Sequence, residues 1–257
     1  MTAALEAKNV CKTYVVNKRQ NNVLRNVSFD VEDGELVAVM GPSGSGKTTL
    51  LYAVSGMDEV TSGSVGFYGQ ELTQVRAKEM ATLRLDSMGF IFQQMYMLKN
   101  LTIADNILLP AFQSKKNRGT AKRREKSAYA HELMYRMGIA ELARNDITEV
   151  SGGQLQRACI CRSLINDPQM VFADEPTGSL NKQASNEVMD QIVTLNRAGT
   201  TVMLVTHDIR VAAKCDRVLY LIDGSINGDL ALGKHEGDHT LKDRERRLNN
   251  WLLDKGW

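Results

Sequence analysis

The chain has 257 residues, 43% apolar and 24% charged, the mix of an ordinary globular protein with room for one large domain or two lobes sharing a core. Its 32 basic and 30 acidic residues leave a formal charge of +2, too small a field to gather nucleic acid, so no nucleic-acid partner is expected. No window reaches the roughly 20 apolar residues of a spanning helix, Met1 to Tyr14 lacks the pattern of a signal peptide, and Cys11, Cys159, Cys161 and Cys215 include only one close pair, which reads as reduced thiols rather than a zinc site.

The first strong element is the run Leu36 to Met40, continuous in apolar residues as a strand buried on both faces is. It leads into Gly41-Pro42-Ser43-Gly44-Ser45-Gly46-Lys47-Thr48, which fits G-x-x-x-x-G-K-[ST], and then into a helix with Leu50, Leu51 and Val54 inward. Glycines there let backbone N–H groups turn inward around phosphate oxygens. Lys47 reaches the β- and γ-phosphates of ATP, and Thr48 offers a hydroxyl to Mg2+. The helix start at Thr48 and Thr49 adds its own attraction for anions.

From about Gln94 to Arg144 no buried-strand run occurs, and this stretch reads as a mostly helical insertion. It holds Lys115, Lys116, Arg118, Lys122, Arg123, Arg124 and Lys126, followed by a helical pattern through Leu133, Met134 and Met137. With no aromatic residues interleaved, the basic run reads as a solvated loop and helix face; a nucleic-acid or lipid-headgroup patch is the sharper alternative. Ser151-Gly152-Gly153-Gln154 then opens a helix predicted to Asn166, with Leu155, Ala158 and Cys161 in register. A helix start with exposed glycine amides is a second anion site.

Met170 to Ala173 is another buried-strand run and delivers Asp174 and Glu175 at its end. Asp174 suits Mg2+, which prefers oxygen ligands, and Glu175 is the natural general base for an attacking water. A helix is predicted over Ala184 to Leu195, a strand over Val202 to Val205, and Thr206-His207-Asp208 follows. Three buried strands thus present polar residues at their carboxyl ends, where wound α/β sheets bind ligands. That convergence favours His207 as a contact to the γ-phosphate or the water. After a fourth run, Val218 to Ile222, the tail places Leu241, Leu248, Trp251 and Leu252 on one helical face. A helix docked on the core is the plain reading of the tail; a membrane-surface or partner contact is the sharper one.

With these motifs in place, the chain resembles the nucleotide-binding subunits of ABC transporters from about Leu5 to Gly228. The resemblance implies an α/β P-loop NTPase (RecA-like) wound sheet core, with an antiparallel β subdomain near the N-terminus and an α-helical subdomain insertion. The expected layout is an ATPase domain over 1–228, its core at about 1–93 and 167–228 and its helical part at about 94–166, then a C-terminal helical extension over 229–257. It further implies that Tyr14 stacks on adenine, that Gln93 contacts Mg2+ and faces a permease, and that Ser151 to Gln154 is the signature motif. Asp174, Glu175 and His207 match the Walker B aspartate, catalytic glutamate and switch histidine. Implied partners are a separately encoded polytopic permease and a second copy of the chain, paired head to tail so that each Ser-Gly-Gly-Gln meets the other's glycine loop.

Ala173 to Gly178 and Asn106 to Pro110 look like the narrower group serving lipoprotein release, macrolide export and antimicrobial-peptide resistance, whose permeases work by mechanotransmission. Phe172, Asn181 and the tail with Trp251 and Trp257 lean toward the peptide-resistance branch. The implied place is cytoplasmic, on the inner face of the membrane through the permease. Regulation of a cell-wall hydrolase, or flux signalling to a sensor kinase, is the alternative to net transport. A soluble ATPase acting on ribosomes or DNA fits less well, because the chain has one glycine loop and no coiled-coil or zinc insertion. Two positions depart from the family pattern: Val150 stands for the usual Leu before the signature, and Asn181 for the usual Asp.

Overall fold

The computed structural model describes residues 3–257. In chain order the first half holds β1 (Ala3–Val16), β2 (Arg19–Glu32), β3 (Leu36–Met40), α1 (Lys47–Val54), β4 (Ser62–Phe67), β5 (Gln70–Glu71), α2 (Ala77–Ser87), β6 (Met88–Ile91) and α3 (Ile103–Gln113). The second half holds α4 (Thr120–Arg136), α5 (Gly152–Leu164), β7 (Met170–Asp174), α6 (Lys182–Arg197), β8 (Thr201–Val205), α7 (Ile209–Ala212), β9 (Arg217–Ile222), β10 (Ser225–Ala231) and α8 (Asp238–Asp254). Two compact units result: one takes the chain up to Met80 and again from Val193, the other takes Ala81–Ile192.

In the first unit an antiparallel sheet is ordered β2-β1-β4-β5. Its long hairpin turns at Asn17 and Lys18, both at positive φ, with Val16 paired to Arg19. That two-residue turn matches the right-handed twist of its strands. Asn9 and Asn26, also at positive φ, sit near register shifts in β1 and β2; asparagine tolerates the left-handed region that a bulge requires. One face of the hairpin carries Leu5, Ala7, Val10, Leu24, Val27, Phe29 and Val31, all buried. Apolar residues alternate here instead of running together, so these strands leave no continuous apolar signature.

The same unit holds β3 parallel to both β8 and β9, with β10 antiparallel to β9. Every residue of β3 and β8 is buried, which is why both read as unbroken apolar runs. Their carboxyl ends lie at one edge, where the Thr206 amide still bonds to Val39 O at 3.1 Å. The β9–β10 hairpin turns at Asp223-Gly224, both at positive φ. An Asp-Gly pair between apolar runs is a strong hairpin signal, and β10 carries the sheet past Gly228 to Ala231.

The tail helix α8 packs within this unit. Leu248 and Leu252 are fully buried, and Tyr220 meets the rings of Trp251 and Trp257 at 6.1 and 5.8 Å. A Cβ on Gly228 would come within 2.6 Å of Trp251, so only glycine lets the indole lie there. The docked reading of the tail therefore holds for this face of the helix.

In the second unit β6 and β7 pair in parallel, Met88 with Met170 through Ile91 with Ala173. Phe90 stacks on Phe92 and on Phe172 across them. Helices α3, α4 and α5 pack beside them, and no strand interrupts the chain between Ile91 and Met170. Thr102 caps α3 by accepting from Asp105 N–H at 3.1 Å. Asn106, wholly buried, accepts from Leu98 N–H and donates to the carbonyls of Leu98, Leu101 and Thr102.

Of the basic run, Lys126 alone is buried: it donates to Ile165 O at 2.8 Å and Asp167 at 2.7 Å, closing the end of α5. The others are exposed, as a solvated face requires. Helix α5 begins two residues before the predicted start because Ser151 caps it, and burial pushes the Cys159 and Cys161 thiols up to about 11 and about 12.

Candidate nucleotide site

The loop from Gly41 to Thr48 joins the end of β3 to the start of α1. Gly44 and Gly46 have φ of 80° and 101°, conformations glycine reaches without strain. A Cβ on Gly41 would fall 2.1 Å from Leu221 O and 2.7 Å from Ser45 Oγ, so the loop closes only with glycine there. Ser43 lies on the exposed side of the turn, and the Ser45 amide bonds to Pro42 O at 3.2 Å. No side chain caps α1, whose N-cap is Gly46. Lys47 Nζ folds back onto Gly41 O at 2.8 Å and Pro42 O at 3.0 Å. Ser45 Oγ is buried without a hydrogen-bond partner. An uncapped helix start, a glycine cradle, a lysine resting on carbonyls and an orphaned hydroxyl fit a phosphate group.

Tyr14 lies in the same unit. Its hydroxyl donates to Asp58 Oδ2 at 2.5 Å, and Lys12 Nζ donates to Asp58 Oδ1 at 2.6 Å while lying 4.8 Å from the Tyr14 ring centre. The hydroxyl also meets Thr49, at the head of α1, so Tyr14 and the glycine loop belong to one neighbourhood. Partial burial, then the Asp58 hydrogen bond, push the Tyr14 hydroxyl up. Partial burial opposes ionisation of Asp58, but hydrogen bonds from Lys12 and Tyr14 outweigh it and hold that carboxyl below its usual range. Tyr14 as a whole stays 37% exposed, open to a flat partner. Lys12 and Asp58 went unread in the sequence, although Lys12 sits two residues before Tyr14, on the same strand face. His207 stands two residues past the end of β8, after Thr206, and is exposed, with Asp208 beside it capping α7.

In the second unit β6 and β7 end side by side, so Gln93 and the pair Asp174-Glu175 leave one edge. Asp174 is buried, and Glu175 turns the chain at φ 46°. That left-handed value is unusual for a residue with a Cβ, and such strain concentrates at functional positions. The Gly178 amide bonds back to Glu175 O at 3.0 Å, and a Cβ on Gly178 would lie 3.2 Å from Gln93 Nε2 and 3.4 Å from Glu175 Cβ. The glutamine therefore borders the turn that carries Glu175. Within this unit the Gln93 amide and the Asp174 carboxylate both offer oxygen, the donor Mg2+ requires, and Thr48 of the first unit offers a hydroxyl of the same chemical kind.

Ser151 and Gln154 form a capping box: the Gln154 amide donates to Ser151 Oγ at 3.3 Å, and the Ser151 amide donates to Gln154 Oε1 at 2.8 Å. The amides of Gly152 and Gly153 are left at the helix start. A Cβ on Gly153 would sit 3.0 Å from Ala184 Cβ, so this glycine also serves close packing. Asn181 Oδ1 accepts from Ala184 N–H at 2.9 Å at the start of α6. Asparagine caps a helix as well as aspartate does, which accounts locally for the departure at this position.

In this second unit Met95 to Leu98 follows Gln93 and lies beside α5. Arg162 fixes its main chain, donating to Met95 O at 2.7 Å and Tyr96 O at 2.8 Å. Tyr96 is 64% exposed and Leu98 46%, so these side chains are not core.

The folded strand–glycine-loop–helix unit, with polar residues at the ends of buried strands, defines an ATP-binding P-loop protein on an α/β scaffold. The chain belongs to the ABC transporter family, whose model matches residues 24–178, more than half of its length. It is 39% identical over 239 residues to the bacitracin export ATP-binding protein BceA of Halalkalibacterium halodurans, covering 93% of this chain and 91% of that protein. It is 38% identical over 222 residues to the ABC transporter ATP-binding protein YknY of Bacillus subtilis, covering 86% and 94%. Among solved structures, the dimeric ATP-binding cassette MJ0796 in a post-hydrolysis state with ADP and Pi matches with a TM-score of 0.80 and 33% identity, over 90% of this chain and 100% of that one. The cassette cbiO1 of Clostridium perfringens, 22% identical, shares the fold with a TM-score of 0.79, over 100% of this chain and 98% of that one. The chain is thus an ATP-binding and ATP-hydrolysing subunit of an ABC transporter. Among the described residues no helix is long and apolar enough to cross a membrane.

Proposed function

We propose that this subunit drives a separately encoded polytopic permease in export of, or resistance to, antimicrobial peptides, working from the cytoplasmic face of the membrane. What supports the peptide class is the 39% identity, across nearly the whole chain, to a protein described as a bacitracin exporter's ATP-binding subunit. In this reading Lys47 exchanges the carbonyls of Gly41 and Pro42 for β- and γ-phosphate oxygens of ATP. Gly41, Ser43, Gly44, Ser45 and Gly46 turn their amides on the same phosphates, and Thr49 and Tyr14 border the nucleotide, Tyr14 with its ring on adenine. Mg2+, when bound, neutralises charge building up on the phosphate oxygens; Thr48, Gln93 and, through water, Asp174 are the residues that would hold it. Glu175 takes the proton of the attacking water, and His207 orients the water and the γ-phosphate. Ser151, Gly152, Gly153 and Gln154 present their helix start to the nucleotide of a second copy in a head-to-tail dimer. The exposed side chains of Tyr96 and Leu98, with the half-buried Met97 between them, line the groove that receives the permease, next to the nucleotide-sensing Gln93.

The test is Lys47→Ala, which removes the cation at the phosphates. Purified, it should hydrolyse ATP at least about a hundredfold more slowly than wild type, the scale of losing one positioned charge-stabilising donor. In cells it should abolish whatever bacitracin resistance the wild-type chain and its permease confer. Wild-type hydrolysis in the variant would contradict the site, and resistance independent of the chain would contradict the peptide reading alone.

A further inference from the structure

The tail helix α8 reaches the turn that carries His207, and the contact is built from charges. Asp208 is the N-cap of α7: its Oδ1 accepts from Arg210 N–H at 2.8 Å, and its own amide donates to Thr206 Oγ1 at 3.1 Å. The Arg210 guanidinium closes on the same carboxylate, Nη2 to Oδ2 at 3.2 Å and Nε to Oδ1 at 3.4 Å. Facing them across an open groove of about 790 Å3, which His207 also lines, stand Lys242, Glu245 and Arg246 of α8.

The far end of α7 is held by the same helix. Arg244, one residue before Glu245, is buried, with Nε on Ala213 O at 2.7 Å and Nη2 on Cys215 O at 2.7 Å. Its remaining donors go to the carbonyls of Leu232, Gly233 and Lys234. A buried guanidinium with every donor on main-chain carbonyls is a rigid clamp, because releasing it would orphan several acceptors at once. Helix α7 is thus gripped at its C-terminal end by Arg244 and faced at its N-terminal end by Glu245.

We infer that α8 is a strap that positions the His207 turn, with Glu245 acting on Arg210 and, through the Arg210–Asp208 pair, on the backbone next to His207. The charges agree: Arg210 is held above its ordinary value first by hydrogen bonds to Asp208, then by the Asp208 charge, with Glu245 adding to it. Of the α8 residues that line this groove Lys242 and Arg246 are cations, Arg246 also bonding Asp243 at 3.0 Å, and Glu245 is the carboxylate among them that complements Arg210. Glu245 and Arg210 touch no reacting atom; they are positioning residues.

The inference rests on His207 acting in hydrolysis, so the experiment carries that control. Steady-state ATPase kinetics of the full chain are measured for wild type, His207→Ala, Glu245→Gln, Glu245→Arg, Arg210→Glu and the double swap Glu245→Arg with Arg210→Glu. Glu245→Arg and Arg210→Glu should each lower kcat about fivefold with KM for ATP unchanged, and the double swap should restore most of it, as coupled neighbours do. Glu245→Gln, which keeps the shape, should fall between. Two results overturn the inference alone: His207-dependent turnover with Glu245→Arg at wild-type kcat, or losses in kcat, KM and melting temperature together that the swap fails to restore. Turnover indifferent to His207→Ala removes the reading of the site, and this inference with it.

Discussion

Tyr14 illustrates what a single residue needs in order to serve a nucleotide. An exposed ring is useful for stacking only if it keeps its place, and here a hydrogen bond to Asp58 and the Lys12 ammonium over the ring hold it. The sign of the linkage follows from Asp58. Its folded carboxyl ionises below the usual carboxylate value of about 4, so its contribution to stability is full above that value and is lost as pH falls through the lowered one. Asp58→Asn should therefore melt lower than wild type at neutral pH, and the two melting curves should converge as the pH falls below the lowered ionisation of Asp58. A gap that stays constant from neutral to acid pH would show that the ionised carboxylate is not what holds Tyr14. At this scale Lys47, Thr48, Asp174 and Glu175 could be singled out as candidates because their residue types stand at fixed spacing along the chain. Lys12, Asp58 and Arg162 were not, because each acts on a residue distant in sequence, as in the pair Arg162 and Met95.

Elements divide in the same way. Strands β3, β7 and β8, buried at every position, were plain in the sequence as unbroken apolar runs. The β1–β2 hairpin was not read from its residues, because half of its side chains face out and its register shifts break the alternation. Met95 to Leu98 shows the limit of composition: methionines beside an aromatic residue suggest core, yet Arg162 pins the main chain and leaves Tyr96 and Leu98 outside. Methionine adapts to varied partners, which suits a docking groove. Tyr96→Ala combined with Met97→Ala should leave the melting temperature and ATP affinity of the isolated chain near wild type. It should also lower co-purification with the permease and permease-stimulated ATP hydrolysis. A loss of several degrees in melting temperature, with permease binding intact, would return the segment to a purely structural role.

For the whole molecule, the proposal turns on two copies sharing nucleotide. Each chain has one glycine loop and one capped helix start at Ser151 to Gln154, and the capping box holds that start rigid before any ligand arrives. A preformed helix start of this kind is what the proposed head-to-tail pairing would use, and twofold symmetry would then close the assembly at two copies. In the proposed assembly hydrolysis would end the pairing by removing the γ-phosphate that both copies grip, so a chain that binds ATP but cannot cleave it should stay paired. Glu175→Gln has that property: the amide keeps the side chain's shape and cannot take the water's proton, a loss of about a hundredfold or more in rate. The decisive measurement is the mass of this variant in solution with and without ATP and Mg2+. We predict a monomer without nucleotide and a stable dimer with it; a monomer at saturating ATP would contradict both the role of Glu175 and the shared site.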